Sequence, residues 1–185
     1  MLLDVVTEVY GYLEGRKVLL AGLVTYTLFV LTMEIITHIP SPENYHVSWS
    51  TVQDPNAYNY LFNNIYLVWF SVVVCALSAN TLNMIALSKW KILVRGKYFW
   101  MRSVTTSLVA AIIFSVLSNI FAFGLFLHGV EFFYLVKLTL ISIPAKLLTL
   151  IVFAYTATFL CDFLKHKEHI DVYDNHLNYN PFSSQ

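Results

Sequence analysis

Charge is what this sequence has least of. Only 12% of its 185 residues are Asp, Glu, Lys or Arg, against about 25% in an ordinary soluble domain. Half the usual charge leaves too little polar surface to cover a water-soluble globule. The formal net charge is zero, which argues against nucleic acid as a partner, since no basic face is available for phosphates. Cysteine is nearly absent. Cys75 and Cys161 are isolated within apolar runs, which excludes a disulfide framework and a Cys metal site and leaves two buried structural thiols. The enzyme motifs HExxH, GxSxG, the P-loop and the Gly-rich dinucleotide turn are missing. His166 and His169 form an HKEH pair, but two ligands on a polar tail do not close a metal shell. No catalytic chemistry, cofactor or metal is expected. A cleavable leader is not expected either. Asp4 and Glu8 interrupt the first apolar stretch, and the run after Arg16 and Lys17 is too long for an h-region and ends in HIPSP.

Apolar residues are what the chain does have. They make up 58% of it, with a mean hydropathy of +0.65, the composition of an integral membrane protein. The pattern predicts an all-α polytopic membrane helix bundle with four complete spans, over residues 18–39, 60–88, 103–127 and 133–163. The first, of 22 residues, would rise about 33 Å, enough for a hydrocarbon core of about 30 Å. Pro40 and Pro42 end it. The second is longer than the bilayer needs and is expected to tilt. Gly129 breaks the turn between the third and fourth, and Pro144 inside the fourth removes a backbone donor. Residues 1–15 read as the end of a helix whose beginning is absent, broken by Gly11 and Gly15. The resulting division is a transmembrane domain over 1–163 and a polar tail over 164–185, at the membrane surface or disordered.

The basic residues orient these spans. Lys89, Lys91, Arg95, Lys97 and Arg102 lie between the second and third, Arg16 and Lys17 precede the first, and Lys165 and Lys167 follow the fourth. The loops 40–58 and 128–132 hold no Lys or Arg and carry Glu43, Asp54 and Glu131 instead. This is the positive-inside pattern with both ends cytoplasmic.

Polar residues inside the spans are the candidate site. A lysine near mid-membrane costs about 2.5–3.5 kcal/mol and normally faces the bundle interior, which singles out Lys146. Lys137 lies nearer the outer end, where it can face a ligand or snorkel. The two do not share a helix face. Glu34 can pair with either or sit at the interface beside His38. Asn80 and Asn83, with Asn63 and Asn64, offer amide edges suited to a neutral heterocycle, or act as interhelical glue. Arg102, Ser103, Thr105, Thr106 and Ser107 crowd the start of the third span more than backbone bonding needs. Tyr66, Trp69, Phe70 and Tyr155 can stack a planar ligand or pack in the core, and Trp49, Trp90 and Trp100 suit an interface belt.

Several stretches together resemble the queuosine precursor transporter family, formerly grouped as vitamin uptake transporters. They are Asp4-Val-Val-Thr-Glu8-Val-Tyr-Gly11 followed by Gly15-Arg16, then Leu77-Ser78-Ala79-Asn80-Thr81-Leu82-Asn83, then Trp100-Met-Arg102-Ser103 with Thr106-Ser107, with Lys137 and Pro144 as looser matches. The tail Asp171-Val-Tyr-Asp174 with Asn178-Tyr-Asn180-Pro181-Phe182 is similar to the family's ending. The resemblance covers nearly the whole chain. It implies a six-helix inner-membrane carrier of a 7-deazapurine such as 7-cyano-7-deazaguanine. Roughly one and a half N-terminal helices of that fold are missing here. Asn83 stands where the family motif has an aspartate, and Ala111 and Phe114 where it has an amide and an aspartate, so proton coupling through those positions is not expected. By this reading the substrate is bound by Asp4, Glu8, Asn80, Asn83, Arg102, Ser103, Thr106, Ser107, Lys137 and Lys146. Asp4 and Glu8 would meet its amino group or pair a lysine. The lipid bilayer and a small molecule are the partners, and a homo-oligomer is left open. The alternatives are a substrate-binding membrane subunit needing an energising partner and a shortened relative for another small solute.

Overall fold

The computed structural model describes residues 1–37, 65–125 and 132–174. Five helices run in chain order: α1 (Leu2–Tyr10), α2 (Tyr12–Thr37), α3 (Ile65–Leu93), α4 (Phe99–Leu125) and α5 (Phe132–Glu168). Four are long and apolar enough to cross a bilayer, over Tyr12–Ile36, Ile65–Leu93, Phe99–Phe121 and Thr139–Glu168. The expected architecture of four spans and a short N-terminal helix is therefore present. The expected loop 40–58, Trp49, Asn63, Asn64, His38, the turn at Gly129 and the tail beyond Asp174 lie outside the described residues.

Consecutive spans pack side by side, α2 on α3, α3 on α4 and α4 on α5. Their apolar residues are spread around each helix, and large ones such as Leu28, Phe29, Ile35, Leu148 and Phe159 stay more than half exposed. Such a surface suits hydrocarbon, where apolar contact with lipid costs nothing. The starts of α2 and α4, the ends of α3 and α5, and the turn 94–98 lie together at what is here termed the basic end. The short α1 packs among α2, α3 and α5 at this end. Its Val5 and Val9 are buried with Leu87, Phe99, Ala157 and Cys161. A second buried group joins Tyr12 and Leu19 to Met84. Cys75 and Cys161 are both buried and free, as their apolar surroundings predict.

Besides α3, which runs to Leu93 rather than 88, three boundaries differ from the sequence reading. The first span begins at Tyr12 rather than residue 18, because only Gly11 breaks the chain. Gly11 takes φ +87° and its amide closes the last turn of α1 on the Thr7 carbonyl at 3.1 Å. Gly15 instead lies inside α2, where a Cβ would stand 2.5 Å from Thr7 Oγ1 and 3.0 Å from Met84 Sδ. It is a glycine of close approach, letting α1 fold back on the first turn of α2. Second, α4 starts at Phe99 rather than 103 and so encloses Arg102. Third, α5 runs past 163 to Glu168, and residues 169–174 then fold back onto the basic end, where Val172 N donates to Val9 O at 3.2 Å.

A methyl group at Gly11 forces a left-handed backbone costing about 1–2 kcal/mol and meets Asp174 Oδ1 at 2.9 Å. Gly22 has open space around it. Gly11→Ala is therefore expected to lower the melting temperature in detergent, whereas Gly22→Ala is neutral or stabilising by up to about 1 kcal/mol.

Candidate functional site

Asp4 and Glu8 stand four residues apart on α1, one turn along the same face, and each meets α4. Glu8 is fully enclosed. Its Oε2 accepts from Arg102 Nη1 and its Oε1 from Arg102 Nη2, both at 3.0 Å, the paired fork that arginine makes with a carboxylate. Lys165 Nζ donates to Glu8 Oε1 at 3.0 Å, and Lys91 Nζ lies 3.9 Å from it. Arg102 also donates Nε to Lys97 O at 3.0 Å and Nη2 to Gly96 O at 3.3 Å. One guanidinium thus fixes α1 and the turn between α3 and α4. That turn takes left-handed φ at Arg95, Gly96 and Tyr98, a strained path that needs such support.

The folded-back tail completes this cluster. Asp171 Oδ1 accepts from Lys91 Nζ at 2.6 Å and lies 2.9 Å from Lys165 Nζ. Lys91 Nζ also donates to Glu8 O at 2.5 Å and to Val172 O at 2.6 Å. Asp174 accepts from the Tyr12 amide at 2.9 Å and from the Ser88 hydroxyl. Partial burial pushes the Asp171 carboxyl upward, but hydrogen bonds and attraction from Lys91 and Lys165 outweigh it and hold the group below its ordinary value.

One turn further inside, Asp4 gathers neutral donors. Asn83 Nδ2 reaches Oδ1 at 2.7 Å, and Ser103 Oγ and Ser107 Oγ each reach Oδ2 at 2.7 Å. Among the described residues, Asn83 Oδ1 is buried with no donor. Beside this group lies a cavity of about 480 Å³. Asp4, Asn80, Asn83 and Ser107 bring its polar groups from α1, α3 and α4, and Lys146 brings an ammonium from α5. Ala79, Ala110, Ala111 and Ala145 leave the space open, and Phe114 supplies an aromatic wall. The Lys146 ammonium donates to the hydroxyl of Ser115, and no carboxylate pairs with it among the described residues. Such a site can hold a flat molecule with hydrogen-bonding groups on more than one edge.

Of the residues singled out in the sequence, Asp4, Asn80, Asn83, Ser107 and Lys146 line this cavity. Ser103 supports Asp4 from outside it. Glu8 and Arg102 lie in the charge cluster. Thr106 spends its hydroxyl on Arg102 O at 2.9 Å within its own helix. Lys137 is exposed outside the cavity and makes no ion pair among the described residues. The proposed stacking residues are elsewhere: Trp69 Nε1 donates to Thr27 Oγ1 at 3.0 Å, Tyr66 bonds Glu34, Phe70 meets Phe121 edge-on, and Tyr155 is exposed. Sequence reasoning missed Lys91, Lys165 and the buried side of Asp171 and Asp174. The only signal was the acidic spacing Asp171-Val-Tyr-Asp174. Among the described residues no group of His, Cys, Asp and Glu is arranged to hold a metal ion.

Compared with known proteins, residues 1–165 match the family model described as "Putative vitamin uptake transporter". No curated protein and no solved structure matches the chain.

Removing one partner of a buried ion pair costs about 3–5 kcal/mol because the other charge is left uncompensated. Glu8→Gln strands Arg102 and Lys165, so a large loss of folded, monodisperse protein is expected in detergent. Adding Arg102→Met recovers part of that loss, a coupling that a double-mutant cycle on melting temperature measures. The Asp171 contacts titrate in the opposite sense to a histidine switch. With its folded value depressed, Asp171 stabilises fully above its unfolded value of about 3.9 and loses that stabilisation as pH falls through the lower one. The melting-temperature gap between wild type and Asp171→Asn should be constant from about pH 5 to 8 and close below about pH 4.

Proposed function

The chain belongs to this transporter family, and we propose that its cargo is a queuosine precursor, 7-cyano-7-deazaguanine or a related 7-deazapurine, moved across the inner membrane. The observation that carries this reading is an open cavity into which α1, α3, α4 and α5 bring polar groups within an otherwise apolar set of spans. A 7-deazapurine of this class is flat and uncharged, with N–H donors on one edge and a lactam oxygen on another. Asp4 offers a carboxylate to the donors, and Asn80 an amide whose Nδ2 is held by Ala76 O at 2.9 Å. Lys146 offers an ammonium to the lactam oxygen or a nitrile. Phe114 offers a face for stacking, which is insensitive to the exact heterocycle. The chemistry is binding and passage, with no bond made or broken in the cargo. The basic end faces the cytoplasm in this proposal, since Lys and Arg are retained on that side of short loops.

The test is queuosine in the tRNA of cells lacking both precursor synthesis and their own carrier, supplied with low external precursor and expressing this chain. Wild type is expected to restore it. Loss of a charged hydrogen bond worth about 1.5–3 kcal/mol weakens binding about tenfold or more. Asp4→Asn and Lys146→Met should therefore raise the precursor concentration needed by that factor, while Lys137→Met leaves it unchanged. Binding without movement in proteoliposomes would instead favour a capture subunit that needs an energising partner.

A further inference from the structure

We propose that residues 169–174 form a releasable strap that locks α1 over the basic end of the cavity, and that lifting the strap frees α1 to open that end. This rests on the cavity being the substrate site. An apolar layer and an ionic cluster interleave between the level of Asp4 and the basic end. The layer is made by Val5, Val9, Leu87, Phe99, Ala157 and Cys161. The cluster is made by Glu8 with Arg102, Lys165 and Lys91. Both include α1 residues, so neither parts without movement of α1.

The strap touches every element that such a movement would displace. Val172 N bonds the α1 carbonyl of Val9, and Asp174 caps the Tyr12 amide at the start of α2 while bonding Ser88 on α3. Asp171 joins Lys91 on α3 to Lys165 on α5. The Tyr173 ring lies under Lys91 Nζ at 4.5 Å, and its hydroxyl stands where a Cβ on Gly96 would be, 2.5 Å away. The strap also covers the joint itself. Gly11 is the single residue between α1 and α2 at φ +87°, and Asp174 Oδ1 lies 2.9 Å from where its Cβ would be. A hinge residue of this kind can absorb a change in the angle between two helices.

The hold of the strap differs in kind from that of the bundle. Residues 169–173 are exposed and only Asp174 is buried. Its contacts are hydrogen bonds and ion pairs near solvent, with little apolar surface buried. Segments held this way open at lower free energy than a packed core. Release also changes the charge balance beneath. Without Asp171, Glu8 alone faces Arg102, Lys165 and Lys91, and three cations around one carboxylate repel one another. Movement there reaches the cavity directly, because Glu8 and Asp4 lie one turn apart on the same face of α1.

The two native cysteines report the opening. Cys161 lies in the apolar layer at 1% exposure, and Cys75 is fully buried on α3 outside that layer. Purified full-length protein in detergent is treated with N-ethylmaleimide, with and without Asp171→Asn plus Asp174→Asn, and labelling at each cysteine is followed by mass spectrometry. Wild type should label at neither until SDS is added. The double variant should label Cys161 about tenfold faster with Cys75 unchanged, a shift in opening equivalent to about 1.4 kcal/mol. No acceleration at Cys161 overturns the proposal, and so does equal acceleration at both sites, which marks a strap that merely holds the fold. Asp171→Asn alone, at a half-exposed carboxylate, repeats the comparison with a smaller expected gain and the same two contrary results. No substrate is used, so a wrong cargo leaves this result standing, and a failed strap leaves the uptake test standing.

Discussion

Glu8 lies beyond the reach of water, and Arg102 answers it with both guanidinium nitrogens at 3.0 Å. Two charges withdrawn from solvent lose a large hydration energy, which only close geometry and full hydrogen bonding recover. That requirement dictates much of the fold. The short α1 must lie against α4 in one register. The turn 94–98 must curl back so that its carbonyls at Gly96 and Lys97 accept two more of the guanidinium hydrogens. Lys91 and Lys165 must converge on the same carboxylate from α3 and α5. Three spans, α3, α4 and α5, are thereby indexed to one another and to α1 by a single acidic side chain. A buried ionic cluster of this sort serves specificity of arrangement better than stability, since lipid gives apolar helices little reason to choose one neighbour over another.

α1 performs two tasks because its polar residues recur every four. Glu8 organises the basic end, and Asp4, one turn inward, organises the polar wall of the cavity through Asn83, Ser103 and Ser107. The cavity is bounded by small side chains on α3, α4 and α5, so its volume arises from what is absent, chiefly the side chains that alanine lacks at 79, 110, 111 and 145. Its charges come from opposite ends of the sequence, Asp4 and Lys146. The cavity wall and the charge cluster are therefore joined on one nine-residue helix.

The polar residues of the site were legible individually. Charged and amide groups stand out in apolar runs because burying them without a partner is costly. Their division into cavity and cluster was not legible. Asn83 and Arg102 carry similar weight as intramembrane polar residues, yet one lines the cavity while the other is wholly enclosed by Glu8 and backbone carbonyls. Thr106 and Ser107 are adjacent, but successive helix positions point about 100° apart, so one hydroxyl turns to its own backbone and the other to Asp4. Stacking and packing aromatics were equally hard to separate. Tyr66, Phe70 and Tyr155 suit either role by chemistry and do not line the cavity, where Phe114 stands.

The sequence by itself determined the class of the molecule. Scarce charge, four long apolar runs and basic residues gathered beside alternate run ends dictate a polytopic helical bundle, because hydrocarbon demands backbone hydrogen bonds satisfied within each span. It also marked which residues hydrocarbon would not tolerate alone. Only the tertiary structure decided how these were satisfied. Lys91 meets Asp171 across 80 residues of chain, and Glu8 meets Lys165 across 157. Contacts at such separation depend on how the helices are placed in space, which hydropathy does not encode. The same placement turned a polar tail into a strap, because the carboxylates of Asp171 and Asp174 complete a cluster that exists only once α1, α3 and α5 have come together.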